Sequence, residues 1–244
     1  MSLAKHASLC IAKDRLAIAL DVPDAPSAID LVDRLGDTVT WLKVGMELYY
    51  ATGNSLIAEL QKRGYRIFLD LKLHDIPNTV AGGIRSTARA GVDLLTVHAG
   101  GGSSMLRAAA DAVGRQDRPR LLAVTVLTSI DAPQLNDLGV SDSPAEQVLR
   151  LAHLAWKSGI RGMVCSAEEV VNLRNELGPE AYLVVPGIRP AGSATDDQKR
   201  IATPHDAIAA GASMLVVGRP VTKAPDPAGA ATAILDEIAN ASAV

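Results

Sequence analysis

Eight short apolar runs, most of them rich in β-branched residues, recur along the whole chain, and segments with helical spacing of apolar and charged residues lie between them. The runs are Leu16–Leu20, Thr40–Val44, Arg66–Leu71, Leu94–His98, Leu121–Leu127, Gly162–Cys165, Tyr182–Pro186 and Met214–Val217. The helical patterns fall at Ser27–Leu35, Ser55–Arg63, Thr79–Ala90, Ser103–Val113, Ala145–Lys157, Glu168–Leu177, Asp206–Ala210 and Ala228–Ala239. Strands that are continuous apolar runs are covered on both faces, as in a parallel sheet wrapped by helices. Eight such units closing on themselves predict an α/β chain of the (β/α)8 TIM barrel type, one domain over 1–244. The alternative, a doubly wound open sheet, favours a Gly-rich turn after its first strand. Here that strand leads into Asp21-Val22-Pro23-Asp24, which has no glycine. No stretch rich in Pro, Gly or Ser is long enough to act as a linker between separate domains. The longest segment without regular pattern, 188–204, holds Gly192, Ser193, Ala194 and Thr195 and reads as a mobile loop between strands seven and eight.

The chain has 244 residues, 48% of them hydrophobic and 21% charged, the balance of a soluble globular protein. A net charge of −3 without a basic block argues against a nucleic-acid partner, and an aromatic content of 3% leaves little for base stacking. No apolar run reaches the ~18 residues of a membrane-spanning helix. Met1 to Ile11 lacks the long apolar core of a secretory signal. Cys10 and Cys165 show no metal-binding or redox spacing, and Cys165, in an apolar run, reads as a buried free thiol. Together these features predict a cytoplasmic protein.

In a (β/α)8 barrel the active site lies at the C-terminal ends of the strands, so charged residues there carry functional meaning. Strand one ends at Asp21, strand two carries Lys43, and strand three carries Asp70 and Lys72, with His74 and Asp75 just beyond. Burying one unpaired ion costs several kcal/mol, so this density of charge at a strand end is the mark of a site or of a salt-bridge network that closes the barrel. Asp70 and Lys72, two apart, share one side of a regular strand. Alternating lysines and aspartates hold one another in their charged forms, leaving an ammonium able to act as a general acid. Asp75 has two readings, a catalytic carboxylate or a cap for the helix that Pro77 opens. His74 reads as a packed or interface residue, and His98 as a strand-end histidine hydrogen-bonded to a neighbouring loop. Gly100, Gly101 and Gly102 resemble a phosphate loop only weakly and suffice to start the helix near Ser103. The stronger anion signal is Gly218-Arg219 after strand eight, with Arg189 after strand seven, because these two loops commonly build a phosphate site.

The decapeptide Asp70-Leu71-Lys72-Leu73-His74-Asp75-Ile76-Pro77-Asn78-Thr79 closely resembles the signature of the orotidine 5′-phosphate decarboxylase family. Further blocks resemble the same family in order: Ala19-Leu20-Asp21, Leu42-Lys43-Val44-Gly45, Leu127-Thr128-Ser129, Pro186-Gly187-Ile188-Arg189-Pro190 and Val217-Gly218-Arg219-Pro220. The resemblance covers Leu16 to Ile238, with loop sizes like those of the shorter bacterial branch. It implies conversion of orotidine 5′-monophosphate to uridine 5′-monophosphate and carbon dioxide in pyrimidine biosynthesis, with no metal and no organic cofactor. It implies roles as well. Asp21 binds ribose hydroxyls. Lys43 touches the ribose and the charge array. Asp70 lies against the substrate carboxylate, and Lys72 gives a proton to C6 of the pyrimidine. Thr128 contacts the base, and Pro186 belongs to the substrate-binding block of strand seven. Arg189, Gln198, Gly218 and Arg219 gather the phosphate, Gln198 bridging toward the base. Asp75 and Thr79 enter the site of a partner subunit, which makes the working form a homodimer.

Three other readings compete. A magnesium-dependent barrel enzyme of sugar phosphates shares the Asp-x-Lys-x-x-Asp strand end but not the Ile76-Pro77-Asn78-Thr79 continuation. A Schiff-base aldolase needs Lys72 as a free amine, whereas flanking aspartates favour the ammonium. A catalytically silent protein that binds a phosphorylated ligand is the third.

Overall fold

A computed structural model of the chain describes residues 9–114, 118–190 and 202–241. Eight parallel strands close into a barrel in sequence order. They are β1 (Leu16–Ala19), β2 (Trp41–Gly45), β3 (Arg66–Leu73), β4 (Leu94–His98), β5 (Arg120–Val124), β6 (Gly162–Val164), β7 (Tyr182–Val185) and β8 (Met214–Val217). Closure comes from β1 against β8, with Leu16 opposite Leu215 and Ile18 opposite Val217. The helices, in chain order, are α1 (Ala25–Leu35), α2 (Met46–Thr52), α3 (Asn54–Lys62), α4 (Pro77–Arg89), α5 (Gly102–Val113), α6 (Ala132–Asp137), α7 (Pro144–Lys157), α8 (Val170–Leu177), α9 (Pro204–Ala209), α10 (Arg219–Thr222) and α11 (Pro227–Ala241). The predicted barrel class is therefore the observed one. No helix among the described residues is long and apolar enough to cross a membrane.

Local chemistry sets the helix starts. Asp24 accepts the Ser27 N–H ahead of α1, and Ser143 and Glu146 exchange hydrogen bonds as a capping box ahead of α7. Proline in the first turn of both helices gives up an N–H that has no helical partner. The segment expected to be helical from Glu168 begins instead as a tight turn, Ala167–Glu169, because the Glu169 carboxylate reaches back to the Ser166 N–H at 2.7 Å. Helices α2, α6 and α10 span at most seven residues each. They are too short to leave a periodic trace in the sequence.

Two apolar layers hold the barrel. One lies between strands and helices, built on residues such as Leu16, Ile18, Leu42, Ile67, Leu69, Leu95 and Leu215. The other fills the barrel itself with Ala17, Ala19, Trp41, Phe68, Leu94, Leu122, Val184, Met214 and Val216. Side chains alternate across a strand, so Lys43 follows Trp41 to the interior, Asp70 follows Phe68 and Thr96 follows Leu94. The polar site is thus stacked directly on the interior apolar layer. At the opposite end Arg66 covers the Trp41 ring at 3.9 Å and Arg120 the Tyr182 ring at 4.5 Å. Nearby Asp93, only 7% exposed, accepts from the Ile67 N–H at 3.0 Å, from Arg118 at 2.9 Å and from Arg66 at 3.3 Å.

Two strand ends differ from the sequence expectation by more than one residue. The fifth strand stops at Val124 rather than running on to Leu127. Its neighbour β6 has only three residues, and past Val124 both the N–H and the hydroxyl of Thr125 turn to the same Val164 carbonyl, at 3.4 and 3.0 Å. The third strand runs on to Leu73, with an irregularity described below.

β5 and β6 approach closely because Gly162 has no side chain. A Cβ there would sit 2.5 Å from the Leu121 carbonyl oxygen and 2.5 Å from Leu122 Cδ2. Overpacking of this kind costs about 1–3 kcal/mol. Gly162→Ala should therefore lower the thermal midpoint by roughly 5 °C, measured by circular dichroism, whereas Gly114→Ala, at an open helix end, tests only the left-handed backbone there.

Candidate active site

A cavity of about 590 Å³ opens at the C-terminal mouth of the barrel. Its floor is the interior apolar layer, through Ala19, Phe68, Val124, Val164, Val184 and Val216. Its walls carry nine of the residues expected from the sequence: Asp21, Lys43, Asp70, Lys72, Thr128, Pro186, Arg189, Gly218 and Arg219. Strand ends far apart in the chain thus converge on one space.

The charged groups form a chain of contacts. Lys43, with its side chain 10% exposed, donates to Asp21 Oδ1 at 2.9 Å and lies 3.9 Å from Asp70 Oδ2. Lys72 Nζ donates to both Asp70 oxygens, at 2.9 and 3.0 Å. Two ammonium groups therefore flank one carboxylate over an apolar floor, where water screens charge less than in solution. Gly45 makes room for this: a Cβ at that position would lie 3.2 Å from Lys43 Nζ and 3.4 Å from Asp21 Oδ1.

Asp70 and Lys72 do meet, but not through the simple alternation the sequence implies. β3 pairs with β4 as Leu69 opposite Leu95, then as Leu73 opposite Val97, so β3 takes two more residues than its neighbour between those points. Within this bulge Lys72 has φ +48°, the only left-handed conformation of a non-glycine residue among those described. The Thr96 hydroxyl of β4 accepts the Lys72 N–H at 2.8 Å and donates to Asp70 Oδ1 at 2.9 Å.

Arg189 is 6% exposed, and its backbone N–H donates to Ala202 O at 3.0 Å. An isolated parallel bridge joins Ile188 to Ala202, so the two ends of the segment read as a loop are tied together. Residues 191–201, Gln198 among them, lie outside the described residues. Gly218 and Arg219 open α10 at the cavity wall. Counting Lys43, Lys72, Arg189, Arg219 and Lys223 against Asp21 and Asp70, the lining carries an excess of three positive charges.

Asp75 and Thr79 are exposed and do not line this cavity. The capping reading of Asp75 does not hold: Ile76 is the cap residue of α4, and the Asp75 carboxylate reaches only the adjacent Ile76 N–H, at 2.6 Å. The three glycines stay outside the cavity lining, and α5 starts at Gly102. Cys165 is 1% exposed, as expected of a buried thiol, and burial pushes its pKa far up, yet it also borders the cavity. Two site residues escape the sequence reading. Thr96 has a trace there, as an isolated polar residue inside the apolar strand Leu94–His98. Lys223 has none, because an exposed lysine after a short turn looks like any other. Among the described residues no three His, Cys, Asp or Glu side chains converge as a metal-binding group.

His98 hydrogen-bonds to the following loop, accepting the Gly100 N–H on Nδ1 at 3.1 Å, and stacks on His74 with ring centroids 5.1 Å apart. Burial, and then the nearby His74 and Lys72, hold its pKa below the ordinary histidine value. The neutral form is thus favoured by folding, so stability is fully present above the unfolded value of about 6.5 and falls as pH drops through the folded value. The wild-type thermal midpoint should fall between pH 7 and pH 5, and His98→Gln should fall less over the same interval in parallel melts.

The chain is similar to known proteins over nearly its whole length. Residues 14–234 match the model of the Orotidine 5′-phosphate decarboxylase / HUMPS family. The chain is 51% identical over 234 residues to the orotidine 5′-phosphate decarboxylase of Gluconobacter oxydans, covering 94% of this chain and 99% of that protein. It is 52% identical over 228 residues to that of Halorhodospira halophila, covering 93% and 97%. Among solved structures, the orotidine 5′-phosphate decarboxylase of Lactobacillus acidophilus superposes with a TM-score of 0.83 at 43% identity, covering 92% of this chain and 99% of that one. By its sequence over nearly its whole length and by its barrel, the chain is a member of the orotidine 5′-phosphate decarboxylase / HUMPS family.

Proposed function

We propose that this protein converts orotidine 5′-monophosphate to uridine 5′-monophosphate and carbon dioxide, with Lys72 as the proton donor to C6. The observation that carries the reading is the pairing of Lys72 with Asp70 in a cavity whose lining also holds Arg189 and Arg219. The substrate is a small molecule with a carboxylate and a phosphate at opposite ends. Its charge, about −3 at neutral pH, matches the excess of three positive charges in the lining.

Loss of carbon dioxide from C6 leaves an electron pair in the plane of the ring, where the π system cannot take it up. A fixed cation must stabilise that charge as it forms, and a preorganised ammonium does so without reorganisation. Lys72 is held by Asp70 on both oxygens, so its position does not depend on substrate. The substrate carboxylate would sit beside Asp70, and its departure relieves that like-charge contact while Lys72 delivers the proton. Phosphate lies far from the reacting carbon. Gripping it through Arg189, Gly218 and Arg219, with Gln198 of the adjoining segment, supplies binding energy for orientation at C6. Asp21 and Lys43 would take the ribose hydroxyls, and Thr128 and Pro186 the base, a reading supported by their all lining the cavity. The residues need no metal or organic cofactor for this sequence of events.

Asp75 and Thr79 complete the site of a second subunit in this reading, in a homodimer. Their exposure on the mouth side supports it. So do the uncovered apolar side chains of Met46 and Tyr50 in α2 and of Ile76 before α4, which leave the adjacent strands β2 and β3.

Purified protein given orotidylate in EDTA should show the absorbance change of decarboxylation, and Lys72→Ala should lose about 100-fold or more in kcat, within the range for a lost general acid. Absence of turnover by the wild-type protein would sink the assignment, and turnover only with added magnesium would favour a sugar-phosphate enzyme. Mixing Asp75→Asn with Lys72→Ala protein should restore about a quarter of wild-type activity, since half the dimers are mixed and each carries one intact site. No recovery despite demonstrated subunit exchange would count against the shared site.

A further inference from the structure

We propose that Thr96 is the positioning residue of the reaction, through which β4 holds the general acid and its carboxylate partner in register. The inference rests on the decarboxylase reading for the role of Lys72 and goes beyond it in assigning work to a residue that does not line the cavity.

Thr96 is 1% exposed and sits in the middle of an apolar strand, where a hydroxyl must find partners. It finds two, and both belong to the active site. Its oxygen accepts the Lys72 N–H at 2.8 Å, and its proton goes to Asp70 Oδ1 at 2.9 Å. A hydroxyl has one proton, and the Lys72 N–H can only donate, so the direction of both bonds is fixed. The bulge explains why the first bond matters. Between Leu69 and Leu73 the ladder to β4 is interrupted, and the Lys72 N–H takes a side-chain acceptor in place of a strand carbonyl. Lys72 also adopts φ +48°, which a residue with a Cβ takes up only when its surroundings dictate it. Among the described residues, the Thr96 hydroxyl is a polar contact that holds this backbone from outside β3.

The second bond fixes the carboxylate. Asp70 Oδ1 receives Thr96 and Lys72 together, while Oδ2 faces Lys72 and, at 3.9 Å, Lys43. Rotation of Asp70 about its χ2 would break the Thr96 bond, so the hydroxyl selects the rotamer in which both lysines are engaged. One buried side chain thus sets the origin of the Lys72 side chain and the resting place of its ammonium. The β-branch helps, because it restricts χ1 and leaves the hydroxyl few directions.

The test compares Thr96→Val, which keeps the shape and removes both bonds, with Thr96→Ser, which keeps the hydroxyl. Because misplacement of about 1 Å costs on the order of 100-fold in rate, Thr96→Val should lose about 100-fold in kcat, with KM for orotidylate and Kd for uridine 5′-monophosphate within about threefold of wild type. Thr96→Ser should retain kcat within about fivefold. If Thr96→Val does not fold, Thr96→Ala, which leaves space in place of a clash, takes its place in the same comparison. A valine or alanine variant that melts earlier but keeps wild-type kcat would overturn the proposal, and so would a serine variant as slow as the valine one. Wild-type turnover in the same assay separates these outcomes from failure of the decarboxylase assignment itself.

Discussion

Everything at the mouth of this barrel depends on where the ammonium of Lys72 is allowed to rest. A lysine side chain has four rotatable bonds and no intrinsic geometry. Its tip is fixed here by Asp70, which takes it on both oxygens, and its root by a bulge that turns the backbone through a left-handed conformation. Two elements of unlike kind therefore determine one position. The carboxylate is itself fixed by a neighbouring hydroxyl and by a second ammonium from β2. None of these groups would be stable singly above an apolar floor, and each is made tolerable by the next.

The arrangement also orders the cavity by charge. Carboxylates and lysines at the ends of β1, β2 and β3 occupy one arc of the mouth, and this arc runs on to Gly218 and Arg219 because β8 pairs with β1. The rest of the lining is mostly apolar, from the ends of β5, β6 and β7, with Thr128 and Pro186. A ligand that is anionic at both ends and flat and moderately polar in between fits this order. Specificity of that kind needs no single decisive contact, since a molecule lacking either anionic group forgoes part of the charge complementarity of the lining.

The barrel was legible because eight buried strands cannot be mistaken for alternating ones, and polar residues at their ends stand out against Leu, Ile and Val. Asp21, Lys43, Asp70, Arg189 and Arg219 are visible on that ground alone. The bulge was not legible. Asp-Leu-Lys reads as plain alternation, and nothing local to β3 announces that Thr96, 24 residues on, would draw the Lys72 N–H out of the ladder. The early end of β5 was hidden for a similar reason: it is set by the shortness of β6, not by the apolar run Leu121–Leu127. Asp75 illustrates the converse, where a local rule suggests a cap and the folded chain leaves the side chain outward at the solvent.

The far end of the barrel, with Arg66 over Trp41, Arg120 over Tyr182 and Asp93 clamping β3 to β4, lies across the interior apolar layer from the site. That layer acts as an insulator. Residues beneath it bear on how firmly the barrel is closed, and residues above it on what the barrel does, so free energy can be added or removed on one side with little exchange across the other. A barrel so divided can absorb change in its foundation without altering its chemistry, which gives this fold room to drift in sequence while its mouth stays the same.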